Sequence, residues 1–358
     1  MSLQSLSQHS VSEHFDALPF RPEEKLKADA ALALFNELPT TLASKVSSFI
    51  GSEFFYKRAC SQMARLGCRV EEHGLSYKRM FFELSIQDLL STTVLTPSVA
   101  ENIFTLQLTS CLPDFPIDEV CSQLPNLHSI DIKYEMPNYG GGGGGYASRL
   151  ERMPKALKVS INLVSLTLQE SFLNDIDIAT MFDNEEMPCP SILHLNLRHN
   201  KITSVGLDVI VKQFIALPTS VLTSLDLMGN RIDSEGGSII GKGLETNESL
   251  LEINLRLNNL GDEGGSSLFG SLHNNRTLRH VNLSGNSLGS HSAKALVTMF
   301  ESNDSTALET VVITCNSFTD DDEEAIKSCN NCKTIFDVRS SGGPTSSFDI
   351  LREGVLPF

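Results

Sequence analysis

The sequence predicts an α/β solenoid in which each unit is a short strand, a turn and a helix, with a parallel inner sheet and outer helices in a horseshoe, behind a small helical N-terminal module. Three observations predict it. First, the segments LHLNLRHNKI, LTSLDLMGNRI, LLEINLRLNNL, LRHVNLSGNSL and LETVVITCNSF align on Asn200, Asn230, Asn258, Asn286 and Asn316, at spacings of 30, 28, 28 and 30 residues. A fixed period of this size marks a stack of like units. Second, apolar residues stand five and three positions before each asparagine, as in Leu195 and Leu197 or Ile253 and Leu255, an alternation that describes a strand with one buried face. Third, apolar pairs four apart follow in the first four units, Ile210 and Phe214, Ile240 and Leu244, Leu268 and Leu272, Leu296 and Phe300, which is one face of a helix.

From the N-terminus, residues 1–25 are expected to be disordered or bound to a partner, and residues 26–99 to form the helical module. In that module Leu38 and Pro39 precede a helix with Leu42, Val46, Phe49 and Ile50 on one side. Two aromatic-basic units follow. The first is Tyr56, Lys57 and Arg58; the second is Tyr77, Lys78 and Arg79, continued by Phe81 and Phe82. These are candidate anchors, onto the first repeat or onto a partner, with internal packing as the alternative.

Residues 100–338 are expected to hold the repeats. Three degenerate units precede the five regular ones and place Cys111, Glu135 and Ser171 where the others have asparagine. A Gly-rich insertion at 137–147, containing the run Gly140 to Gly145, belongs on the outside as a loop. Each asparagine is expected at the bend that ends its strand, its amide satisfying backbone groups there. Seven positions later a small residue, Gly237, Gly265 or Ala293, lets neighbouring helices approach. In the last unit Glu323 and Asn330 replace the small and apolar positions, a polar helix suited to close the stack. Residues 339–358 form a Gly/Ser/Pro-containing tail expected to run extended over the surface.

The composition narrows the function. With 28 basic and 44 acidic residues the formal charge is −16, a field that repels phosphate backbones and anionic lipid, so neither nucleic acid nor membrane is expected as a partner. No uninterrupted apolar run reaches the roughly 18–20 residues that span a bilayer, and the polar start lacks signal-peptide blocks, which predicts folding in the cytosol. Eight cysteines without scaffold spacing read as thiols.

No grouping of residues points to catalysis, and no cofactor is expected. His194 and His199 flank one strand but lack further ligands; Cys329 and Cys332 lack a second ligand pair; the acidic run Asp320 to Glu324 lacks the calcium-loop pattern; the glycine run lacks the Lys-Ser/Thr of a phosphate loop. What remains is the solvent side of the inner sheet. By register it presents His194, Asn196 and Arg198, then Asp226 and Met228, then Glu252, Asn254 and Arg256, then Arg279, His280 and Asn282, in columns about 4.8 Å apart. This mixed-charge face is the candidate protein-docking surface.

The unit LRLNNLGDEGGSSLFGSL resembles the ribonuclease-inhibitor class of leucine-rich repeats. A Tyr-Lys-Arg unit, then SYKRMFFEL, then a repeat array is similar to the T-complex-associated testis-expressed protein family, subunit five of the nexin-dynein regulatory complex, over about residues 35–338. Where that family commonly has tryptophan before Lys-Arg, this chain has Tyr56 and Tyr77. The resemblance implies a non-enzymatic scaffold subunit of the axonemal link between doublet microtubules in cilia and flagella, in the cytoplasm and cytoskeleton. It implies a hetero-oligomeric assembly with the other subunits of the dynein regulatory complex, its coiled-coil scaffold and neighbouring repeat subunits, and with dynein-associated proteins. An alternative resemblance is an F-box, from Leu38-Pro39, Leu42, Val46, Ile50 and Cys60, which would make the chain a substrate adaptor of a cullin ubiquitin ligase. Nucleotide-driven immune receptors carry similar repeats, but no P-loop stands in this chain.

Overall fold

The structure is a computed structural model that describes residues 56–57, 60, 70–74, 76–92, 95, 97–112, 114–135, 150–183, 190–302, 307–329 and 333–335. Residues 1–25, the helix after Pro39, Arg58, the glycine run and the tail from 339 lie outside the described residues. The chain divides into two compact units, Met1–Gln107 with Ser122–Leu127, and Leu108–Cys121 with His128–Pro357.

The first unit contains a 3-10 turn at Val70–His73, helix α1 (Tyr77–Thr92) and the short α2 (Pro97–Ala100). Its two aromatic-basic units pack on each other. The Tyr56 ring stands 5.5 Å from Phe81 and 5.9 Å from Phe82, and the two phenylalanines meet edge-on at 5.4 Å. Lys57 lies 5.7 Å above the Tyr77 ring, and the Cys60 thiol donates to the Tyr77 carbonyl at 3.4 Å. Burial of three rings in contact supplies hydrophobic and quadrupolar stabilisation together.

A buried carboxylate organises this unit. Glu83 is buried, and its carboxylate accepts from Arg79 Nε at 2.9 Å, from the backbone N–H groups of Phe104 at 2.9 Å and Thr105 at 2.8 Å, and pairs with His73 Nδ1 at 2.5 Å. The Arg79 guanidinium also covers the Phe104 ring at 4.4 Å.

The second unit is built from the repeats. Strands β1 (Thr105–Cys111), β2 (Ser129–Tyr134), β3 (Ser165–Thr167), β4 (His194–Asn196), β5 (Ser224–Asp226), β6 (Glu252–Asn254), β7 (His280–Asn282), β8 (Thr310–Val312) and β9 (Lys333–Ile335) lie in one sheet in sequence order. From β2 onward each pairs in parallel with the next. Between them run α3 (Ile117–Ser122), α4 (Met153–Val159), α5 (Asp175–Phe182), α6 (Ser204–Phe214), α7 (Ser234–Glu245), α8 (Gly261–Leu272), α9 (Ser290–Ser302) and α10 (Asp320–Lys327). After the acidic helix α10, within the span expected to hold the repeats, β9 follows and pairs with β8.

Each asparagine amide bridges two units at the bend. Asn230 donates to Leu227 O of its own strand and to Leu197 O of the preceding one, at 2.9 and 3.0 Å, and accepts from Ile202 N–H at 3.1 Å. Asn200, Asn258, Asn286 and Asn316 repeat the arrangement, donating to Leu168 and Leu197, Leu227 and Leu255, Leu255 and Leu283, Leu283 and Ile313. In the asparagine place of the third unit, the Ser171 hydroxyl accepts from Tyr134 N–H at 2.9 Å and donates to Ile132 O at 3.3 Å. The residue before each asparagine is left-handed, with φ of 55° at His199, 67° at Gly229, 55° at Leu257, 66° at Gly285 and 54° at Cys315. The conformation costs a residue with a Cβ roughly 1–2 kcal/mol, against which the repeated amide bonds are set.

The helices bury the predicted face, as with Leu207, Ile210, Val211 and Phe214 of α6. Their first turns are capped partly by the unit before. Asp175 accepts from Thr203 N–H, Thr203 Oγ1 and Gly206 N–H at 2.8, 2.7 and 3.0 Å, and Asp262 accepts from Gly289, His291 and Ser292 N–H at 2.9, 3.0 and 2.7 Å. Burial pushes the Asp262 carboxyl up, but these donors outweigh it and hold it below its ordinary range.

Helices α7 and α8 touch through backbone. A Cβ on Gly237 would lie 2.4 Å from Gly264 O, an atom that cannot rotate away. Gly237→Ala is therefore expected to cost about 1–3 kcal/mol by overpacking, despite alanine's better helix propensity. Thermal unfolding checks this, and a raised Tm would mean that the two helices separate freely.

Candidate protein-docking face

Strand alternation points Leu195, Leu225, Ile253, Val281 and Val311 into the core, all nearly fully buried, and their neighbours to the other side of the sheet. Of the predicted face, His194 and Arg279 are exposed, while Asn196, Arg198, Asp226, Met228, Glu252, Arg256 and His280 are half-buried. Asn254 and Asn282 are corrected: each is 3% exposed and cannot meet a partner as expected.

The reason is a ladder of side-chain turns along the third strand position. Asn196, Asp226, Asn254 and Asn282 each accept, through Oδ1, the backbone N–H two residues on, that of Arg198, Met228, Arg256 and Ser284, at 3.1, 2.9, 3.1 and 3.0 Å. A short polar side chain competes for its own backbone in this way where the ladder of a strand ends. The middle column is therefore structural, and what a partner could touch lies to either side of it.

On one side, the first strand position carries His194, Ser224, Glu252 and His280. Burial lowers the His194 pKa, and Glu252 opposes the shift. Arg279 pairs with Glu309 at 3.0 Å, both more than half exposed, a pair of little energetic weight. His280 Nε2 is 3.9 Å from the same carboxylate, and its Nδ1 is buried without a hydrogen-bond partner.

On the other side, where the strands leave the sheet, stand Lys133, Gln169, Arg198, Met228 and Arg256. Lys133 is ion-paired with Glu170 at 2.5 Å. Arg198 Nε is buried without a partner. Burial pushes the Asp226 carboxyl up, more than the hydrogen bonds from Met228 and Asn254 lower it.

Of the N-terminal candidates, Tyr56, Phe81 and Phe82 are spent inside their unit and offer no ring to a partner. Tyr77, Lys78 and Arg79 are half-buried and Lys57 is exposed. Among the described residues no three His, Cys, Asp or Glu side chains converge on a point where a metal could sit, and no helix is long and apolar enough to cross a membrane. Cys60, Cys111, Cys121, Cys315 and Cys329 form no disulfide, and burial pushes the Cys111 and Cys121 thiols up to about 12. Cys332 lies outside the described residues.

Residues 189–211, 220–241, 246–269 and 274–297 match the Leucine Rich repeat family. These stretches take in β4 to β7 and the greater part of each of α6 to α9. The chain carries leucine-rich repeats, and its sheet and helices form a leucine-rich repeat solenoid. No curated protein sequence matches it. A solved structure, Leiomodin-1 Actin-Binding Site 2 (ABS2), is similar at 15% identity over 34% of this chain and 69% of that chain, with a TM-score of 0.29.

Proposed function

We propose that this chain is a non-enzymatic scaffold that holds other proteins through its leucine-rich repeats, as a structural subunit of the axonemal nexin-dynein regulatory complex in cilia and flagella. Its partners in that reading are the coiled-coil and repeat subunits of the complex and dynein-associated proteins, and its place is the cytoskeleton. The observation that carries the reading is the pair of Tyr-Lys-Arg units that precede the repeats and contact one another through Lys57 and Tyr77. An F-box accounts for an apolar helix before repeats but not for this duplicated pair.

The test is fractionation of flagella. After detergent removes membrane and matrix, the protein is expected to stay with the axoneme and to leave only with salt that strips the link. A protein found throughout the cell and copurifying with a cullin-ligase adaptor would overturn the axonemal role in favour of the substrate-adaptor function.

A further inference from the structure

The lip of the sheet around Met228 brings two arginines and an apolar side chain together. Register places Met228 on the strand between those of Arg198 and Arg256. The two arginines thus stand two strand spacings apart, about 9.6 Å, with the methionine midway. Arg198 Nε has no partner, and among the described residues the Arg256 guanidinium makes no hydrogen bond or ion pair. Two carboxylates feel the charge of Arg198 without bonding it: Glu170, which is ion-paired with Lys133, and Asp226, which accepts from the Met228 N–H and from Asn254.

Two further side chains widen the patch. His199 and Leu257 are exposed, and each lies across the glycine of the next unit: a Cβ on Gly229 would stand 2.5 Å from His199 Nδ1, and one on Gly285 2.9 Å from Leu257 Cδ2. In a chain of net charge −16, this is a local surplus of cations around an apolar centre. Long-range repulsion from the acidic remainder would keep other acidic surfaces away, so a partner must bring its charge to this spot with an apolar anchor beside it.

We propose that this lip receives an acidic amphipathic helix of a partner protein, laid across the strands, with carboxylates at positions i and i+7 on Arg198 and Arg256 and an apolar residue at i+3 or i+4 on Met228. Seven residues of helix rise about 10.5 Å, close to the separation of the two arginines, and the intervening turn falls on the methionine. An extended segment puts alternate side chains on opposite faces and does not match the spacing. The inference rests on the scaffold reading and supplies the chemistry of its partner.

The full chain would be titrated by fluorescence anisotropy with a labelled helical peptide carrying Glu at i and i+7 and Leu between, and with versions carrying Gln or Lys in place of Glu. Expected is saturable binding of the Glu peptide that weakens as salt rises, is lost with Lys, and falls on the order of tenfold for Arg198→Glu, for Arg256→Glu and for Met228→Ala. Circular dichroism of each variant guards against misfolding, and Lys242→Glu, exposed on the outer helix α7, should bind as the parent does. Equal affinity for the Lys peptide, or variants of native spectrum that bind unchanged, would overturn the proposal. The Arg198→Glu/Arg256→Glu double variant separates the two ideas in flagella. If the parent stays with the axoneme and the variant stays equally, this lip is not the contact and the scaffold role stands; if the parent itself washes out, the scaffold role fails whatever the peptide does.

Discussion

Glu83→Ala is expected to lower stability by about 3–5 kcal/mol, the range for breaking a buried charge network by removing one member. Its carboxylate is 2% exposed and serves four donors. Without it, the Phe104 and Thr105 N–H groups lose their acceptor and Arg79, only 24% exposed, loses its ion pair. Glu83→Gln retains an oxygen for the two backbone donors but not the charge, so its loss should be smaller. Urea unfolding gives the energies, and amide exchange at Phe104 and Thr105 should accelerate in both variants. A cost below about 1 kcal/mol for the alanine variant would mean that water or another carboxylate replaces Glu83.

Asn286→Ala is expected to cost about 2–3 kcal/mol, from a fully buried amide that donates to Leu255 O at 2.8 Å and Leu283 O at 3.1 Å and accepts from Leu260 N–H at 3.4 Å. The loss is bounded because neighbouring units share the work: Leu255 O also accepts from Asn258, and Leu283 O from Asn316. Asn286→Asp is expected to be worse than alanine, since a carboxylate has no donor and faces two carbonyl oxygens. Chemical denaturation of the two variants decides the matter; an aspartate better tolerated than alanine would show that the side chain acts as acceptor alone.

The two sites differ in how visible they are in sequence. Asn286 is one of five asparagines at intervals of 28 and 30, and recurrence marks it as a position with one structural task. Glu83 occurs once, inside a helix where a lone carboxylate reads as a solvated charge. Its donors lie 4, 10, 21 and 22 residues away, and no local pattern joins them. The candidate docking face was legible in part. Alternation told which side chains leave the core, so His194, Arg198, Met228 and Arg256 stand where the period put them. It could not tell that Asn254 and Asn282 turn back onto their own backbone, because facing away from the core and reaching solvent are separate conditions. The aromatic pair was legible as a duplication, while the packing of Tyr56 against Phe81 and Phe82 depends on chain separations that periodicity does not encode.

By itself the sequence determined the repeat: a strand of alternating faces, an asparagine at the bend and a helix four-spaced in its apolar residues are local patterns, and stacking them is the way for each to bury its apolar side. Only the tertiary structure decided which polar side chains are consumed within the stack and which stay available, and that β9 follows the acidic helix. These outcomes turn on neighbours one unit or more away, where hydrogen-bond distance and burial, not residue order, select the partner.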